Sequence, residues 1–188
     1  MPVDSHSVGD ASTFLNLTTL QERLAALPPA TVGSGRLTGI VRRVEGGVRE
    51  TLERTALTRA HGVPGDAWGR GADPDPVAQI TVMESPVAEL IANGQSQELF
   101  GDQLFVTLDL SAEHLPTGSR VRIGSALLEV TPLPHNGCSK FMARFGNDAL
   151  KLVSMKPLRH RNLRGVYMTV VEDGEVAVGD AVAVLAPA

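Results

Sequence analysis

The apolar positions of this chain follow a helical period most clearly near the amino end, where Leu17, Leu20, Leu24 and Leu27 recur at three- and four-residue intervals. The spacing predicts one amphipathic helix over 11–27, with Thr19 and Glu22 as a capping box. Pro28-Pro29 ends it and Val32-Gly33-Ser34-Gly35 reads as a hinge. Residues 1–34 are therefore expected as an amino-terminal helix and hinge ahead of a main domain over 35–188. A helix with one apolar face must bury that face, on the domain or on a second subunit.

Beyond the hinge the period becomes that of strands. Residues 37–44 are β-branched and short, Gly46-Gly47 is a turn, and 48–58 alternate well enough for a second, paired strand. Residues 61–71 contain four glycines and a proline, so they form a loop of a length that commonly carries function. Residues 78–83 read as a strand; Ser85-Pro86 then starts a helix of about two turns that Asn93-Gly94 closes. Residues 119–123 and 126–131 flank Gly124-Ser125 as a hairpin, and 166–171 and 181–185 are the last strands. The expected fold class is mainly β with short helices (α+β), a barrel-like fold of about eight strands, because closure removes exposed edges.

Composition agrees: 19 glycines, 12 prolines and 4% aromatics in 188 residues favour short strands and tight turns over long helices. A net charge of -4 argues against a nucleic-acid partner. No apolar run approaches the roughly 18 residues of a membrane span, and residues 1–10 lack a basic stretch leading into an apolar one, so no membrane partner and a cytoplasmic location are expected. One cysteine, Cys138, excludes an intramolecular disulfide.

That cysteine stands in the segment richest in chemistry, Pro132-Leu133-Pro134-His135-Asn136-Gly137-Cys138-Ser139-Lys140-Phe141 followed by Arg144-Phe145-Gly146. Prolines and a glycine hold it at the exit of a loop, before a helical turn that places Phe141 and Phe145 on one face. Backbone N–H groups at such a turn favour a thiolate. From 138 to 165 the chain carries Lys140, Arg144, Lys151, Lys156, Arg159, Arg161 and Arg164 against Asp148 alone, a local +6 (7 minus 1). Cations around a soft sulfur suit an anionic ligand. The competing reading is that the sulfur is a small buried hydrophobe and the cations a solvated face. No CxxC or HxxxH pattern supports a zinc site built from protein ligands alone. Trp68 reads as a loop anchor or pocket wall, and Asp66 as a turn cap or a ligand contact.

The order Gly65-Asp66, Gly101-Asp102-Gln103-Leu104, Leu115-Pro116-Thr117-Gly118, Ile123-Gly124, Leu128-Glu129-Val130-Thr131, the cysteine loop and Gly179-Asp180 resembles the MOSC domain, of the small stand-alone bacterial type. The resemblance implies a molybdenum-cofactor-binding protein with Cys138 as molybdenum ligand or carrier of transferable sulfur. It implies Asn136, Lys140 and Arg144 as cofactor or substrate neighbours; Arg159, Arg161 and Arg164 are phosphate contacts chosen on charge. The cofactor implied by the resemblance is molybdopterin, whose dithiolene and phosphate would match a thiolate beside cations. Gly137 stands where many members have proline, Gln103 where they have asparagine, and Ala67-Trp68 where an arginine often follows Gly-Asp. Pyridoxal phosphate is not expected, since the aminotransferase-like domain of full sulfurases is absent from this sequence.

Three functions follow as expectations: a molybdenum-dependent oxidoreductase of N-hydroxylated compounds, a sulfurtransferase-type persulfide carrier, or a non-enzymatic ligand- or partner-binding module. Besides the small-molecule cofactor or substrate, the first would need a redox partner protein. The second would need a cysteine desulfurase.

Overall fold

The computed structural model describes residues 3–4 and 8–185. Residues 1–2 and 5–7 of the expected amino-terminal segment and 186–188 of the expected main domain lie outside the described residues.

Seven strands close into a barrel in the order β2 (Ser34–Arg43), β11 (Ala181–Val184), β7 (Arg120–Ile123), β8 (Ala126–Val130), β9 (Val166–Glu172), β5 (Ile80–Glu84) and β6 (Leu104–Val106), with β6 pairing back onto β2. All these pairs are antiparallel except β5 with β6, making the barrel mixed. β3 (Val48–Thr51) extends β2 outside the barrel, and β1 (Val3–Asp4) pairs with β3. β4 (Arg54–Leu57) forms a separate ribbon with β10 (Gly174–Ala177). The fold is thus mainly β with a few short helices, as the alternation predicts.

Two departures have local causes. Residues 48–58 split at Leu52, which packs on the core while its N–H donates to Ile40 O; β3 continues onto β2, whereas β4 crosses to β10. Gly174–Ala177, expected as connection, is a strand because it supplies that partner.

The amino-terminal helix is shorter than its apolar period suggests. Asp10 caps a single turn over Ala11–Thr13, and a second cap follows: Asn16 accepts from Thr19 N at 2.9 Å and starts α1 (Leu17–Ala26). Asn16 thus takes the role expected of Thr19. Buried Leu20 and Leu24 pack α1 against α2 (Ser85–Ala92) and α4 (Asn147–Ser154), each side chain contributing about 1.5–3 kcal/mol. The apolar face is therefore buried within this chain. Ser85 is the first residue of α2 rather than its cap, its hydroxyl turning to Thr38; Asn93 ends the helix at φ 45°.

Alternation along the strands produces two apolar layers. Ile80, Val82, Leu104, Val166 and Met168 fill the barrel interior. Their neighbours Met83 and Phe105 point outward, under α2, α4 and α3 (Ser139–Phe145), where they meet Phe100, Phe141 and Phe145. These interior side chains are all buried, with 0–6% exposure. Among the described residues no helix is long and apolar enough to cross a membrane.

Candidate functional site

Thr81 and Tyr167, a cross-strand pair on β5 and β9, face outward between the interior residues. Over them opens a cavity of about 500 Å³. This volume lies within the roughly 300–1,000 Å³ typical of small-molecule sites. Its far wall is the cysteine loop and α3; its lip is the 61–71 loop with the end of β2 and the start of β3.

The loop puts Cys138 at the N-cap of α3, exposed, with its carbonyl accepting from Met142 N at 3.0 Å. Gly137 packs closely on α4: a Cβ there would stand 2.5 Å from Leu150 Cδ1 and 3.2 Å from Val153 Cγ2, so those side chains would have to shift. Glycine therefore lets α4 press against the loop that carries the sulfur. Phe141 and Phe145 anchor α3 inward, stacking around Phe100 at centroid distances of 6.0 and 4.1 Å. One turn after Lys140, Arg144 is buried and donates from Nη1 to Leu99 O at 3.0 Å.

The cavity collects Cys138, Lys140, Arg144 and Arg164 from the residues expected on sequence. Asn136 is exposed and does not line it. Arg159 and Arg161 belong to the 3-10 turn Lys156–Arg161 and do not line it either; Arg161 instead lies close enough to Glu84 to oppose the burial that pushes that carboxyl up to about 7. Sequence reasoning missed Arg43 on β2, Arg49 on β3 and Arg70 in the loop. Six cationic side chains thus line the cavity against one carboxylate, Asp102.

The lip is held by Asp66, which is 1% exposed. It accepts from Arg43 N at 2.8 Å, from Arg43 Nε and Nη2 at 3.0 and 2.5 Å, and from Trp68 N at 2.9 Å. Burial alone would raise its pKa, but the Arg43 hydrogen bonds and charge hold it below the usual carboxylate value. Gln103 Nε2 donates to Asp66 Oδ1 at 3.3 Å and to Gln79 O at 3.2 Å, while its Oε1 accepts from Thr81 N at 2.8 Å. Gln103 therefore ties lip to barrel wall. Trp68 lines the cavity and donates from Nε1 to Asp75 O at 2.9 Å, so it is both anchor and wall.

The floor is Asp102, His135 and Arg164. Arg164 Nη1 donates to Asp102 Oδ2 at 2.5 Å, and its guanidinium lies 5.2 Å from the Phe141 centroid. The His135 ring packs at a tilt of 47° against Tyr167, with centroids 4.6 Å apart, and its Nδ1 lies 3.6 Å from Asp102 Oδ1, beyond hydrogen-bond reach. Burial, reinforced by the Arg164 charge, pushes His135 down to about 4 despite Asp102. Its imidazole is therefore neutral at neutral pH and forms no ion pair. Burial and Asp102 hold the Tyr167 hydroxyl above its ordinary value, so it remains a donor.

Among the described residues no cluster of three or more His, Cys, Asp or Glu could hold a metal ion, so side chains alone build no metal cage. The family profile of the MOSC domain matches residues 82–183, more than half of the chain. The chain belongs to the MOSC domain family. Solved structures similar to this MOSC protein include the YUAD protein from Bacillus subtilis, at 17% identity and a TM-score of 0.60 over 83% of this chain and 98% of that one. YiiM from Escherichia coli aligns at 18% identity and 0.55 over 81% and 71%; YiiM from Geobacillus stearothermophilus at 17% and 0.51 over 84% and 76%. These likenesses carry the fold. A search of curated proteins finds no relative of the chain. The profile match omits β2 and β3, yet β2 closes the MOSC barrel and brings Arg43 to the cavity.

Proposed function

We propose that this MOSC protein binds the molybdenum cofactor in the cavity, with the Cys138 thiolate as metal ligand, and reduces N-hydroxylated compounds there. One observation carries the reading: the only sulfur of a cysteine in the chain shares a single cavity with six cationic side chains. The donor set fits the group, since a thiolate suits a soft metal and guanidinium or ammonium groups suit a phosphate. Lys140, Arg144 and Arg49 are the cations that would hold the phosphate. When bound, the cofactor supplies two-electron oxygen-atom transfer.

In such a reduction the N–O bond breaks, the amine keeps its nitrogen, and oxygen leaves as water after uptake of two electrons and two protons. These 188 residues hold one cysteine, too few for a four-thiolate iron–sulfur cluster, so the reading includes a redox partner protein as electron donor. Tyr167 presents a hydroxyl donor beside the buried His135 ring.

The test is expression in a host that makes the cofactor, followed by metal analysis and fluorescence of the oxidised pterin. Stoichiometric molybdenum is expected in wild type and none in Cys138→Ala. Absence of both metal and pterin from folded wild type overturns the reading.

The exposure of Cys138 at the cavity mouth favours a second reading, sulfur transfer. The thiolate would attack the outer sulfur of a desulfurase persulfide, the donor's S–S bond would break, and the donor would leave as thiolate while Cys138 becomes the persulfide. Intact mass after incubation with a cysteine desulfurase should show one added sulfur atom, absent in Cys138→Ala. No gain in wild type sinks it.

A further inference from the structure

The last turn of α3 leaves carbonyls without intrahelical partners, as every helix end does. Gly146 N donates to Met142 O at 2.8 Å, but the next two carbonyls are met from distant parts of the chain. Gly9 N donates to Ala143 O at 3.1 Å, and Gln95 Nε2 donates to Arg144 O at 3.2 Å. The same Gln95 side chain accepts from Asp10 N through Oε1 at 2.7 Å, so it clasps the amino-terminal segment and α3 together. Gln95 is itself held in the turn that follows α2, its N–H donating to Ala92 O at 3.0 Å.

The approach is closer than a side chain allows. A Cβ on Gly9 would overlap the carbonyl oxygen of Arg144, a backbone atom that no rotamer change can move. Further along, Phe14 covers Gly146, where a Cβ would come within 2.9 Å of the Phe14 ring, and Asn93 Nδ2 donates to Thr13 O at 2.8 Å. These contacts run over residues 9–14, outside the 82–183 match to the family profile. The helix they meet is short. Its seven residues make two turns, too few to hold a helix on their own hydrogen bonds, and among the described residues Cys138 caps it without a side-chain bond. Phe141 and Phe145 fix how deep α3 sits, and the clasp stops its last turn from rocking about them. At a rise of 1.5 Å per residue α3 is about 10 Å long, so a slip at Arg144 is carried to Lys140 and Cys138 at the other end.

We propose that Gly9 and Gln95 are positioning residues of the site: residues 9–14, clasped by Gln95, cap α3 from outside and thereby set where Cys138 and Lys140 stand in the cavity. The inference rests on Cys138 as the working sulfur, which both readings above share, and its geometry needs no metal. Misplacing a reacting group by about 1 Å can cost on the order of 100-fold in rate, so the clasp matters to either chemistry.

The test uses the full chain with a nitroxide spin label on Cys138, the only cysteine, and reads label mobility by electron paramagnetic resonance well below the melting midpoint. Gln95→Met keeps the side-chain length and removes both polar partners; Gly9→Ala forces the segment off Arg144. In each, the ratio of mobile to immobile label should rise about fivefold, the effect of one lost hydrogen bond. Val121→Ala, in the barrel core on β7, is the stability control: it should lower the melting midpoint and leave the label as in wild type. Gln95→Glu supplies a pH signature. Its carboxylate can accept from Asp10 N but cannot donate to Arg144 O, so the label is mobile at pH 7. Once protonated, as pH falls through about 4.3, the carboxyl can donate again, and the ratio to wild type at the same pH should return towards one.

A label as immobile in Gly9→Ala and Gln95→Met as in wild type, one mobilised equally by Val121→Ala, or one that stays mobile into acid in Gln95→Glu overturns the proposal. Should Gly9→Ala fold poorly, the two Gln95 variants carry the test. Absence of molybdenum from wild type together with these shifts retires the metal and keeps the clasp. The reverse retires only the clasp.

Discussion

Asp66→Asn tests whether the lip of the cavity is held as its geometry requires. The carboxylate is fully buried and accepts from five donors: three on Arg43, one on Trp68 N and one on Gln103 Nε2. Asparagine has the same shape but only one oxygen, so its amide hydrogens must face donors on one side. Breaking a buried ion pair from one end costs about 3–5 kcal/mol. The Arg43 side chain is 30% exposed and can turn partly to water, which places the loss near about 3 kcal/mol. In a chain of this size that lowers the midpoint by roughly 6–12 °C.

The pH dependence gives the experiment its sign. A carboxylate whose folded pKa is depressed adds stability that is present above its unfolded value, near about 3.9, and is lost as pH falls through the folded one. Wild type should therefore exceed Asp66→Asn by the full amount at pH 7, and the gap should narrow below about pH 4. Urea unfolding followed by circular dichroism at a series of pH values measures both. Equal midpoints at neutral pH, or a gap that stays constant into acid, would falsify the account of Asp66 as the ionic hub of the lip.

Two further perturbations address the floor and the cysteine loop. His135, with its folded pKa pushed down to about 4, is a buried neutral base. Its contribution is complete above the unfolded value of about 6.5 and is lost as pH falls towards about 4, a change on the order of 3 kcal/mol. Stability should fall across that window in wild type and not in His135→Gln, and an imidazole signal titrating near 6.5 in the folded protein would contradict the burial argument. Gly137→Ala forces a methyl group to within 2.5 Å of Leu150 Cδ1. It should destabilise by about 1–3 kcal/mol, and Gly137→Ala with Leu150→Ala should cost less than the sum of the two single changes; strict additivity in thermal melts would show that the contact is not the cause.

The strands were legible because alternation and glycine turns mark them locally. The closed order was not, since it depends on β6 returning to β2 and on one parallel pair among antiparallel ones. The split of 48–58 left no trace in the apolar pattern, because both halves alternate and only their partners differ. At the amino end two successive caps, Asp10 and Asn16, were hidden by the regular leucine spacing that runs past them.

The site divides along the same line. Charge density pointed to the segment from Cys138 to Gly165, and it does supply Lys140, Arg144 and Arg164; but Lys151, Lys156, Arg159 and Arg161 from the same run do not line the cavity. Of the other cations, Arg43 ends β2, where Arg36, Arg42 and Arg43 stand without an acid, whereas Arg49 in β3 and Arg70 in the loop stand in segments with no local excess of charge. Pairing of β2 with β3 places Arg43 opposite Arg49, and Arg70 reaches the same edge by donating to the carbonyls of Arg43, Val44 and Gly65. The positive cavity is therefore made by strand pairing as much as by sequence clustering. A variant that loosens β2 from β3 should weaken anion binding without removing a single cation from the cysteine segment.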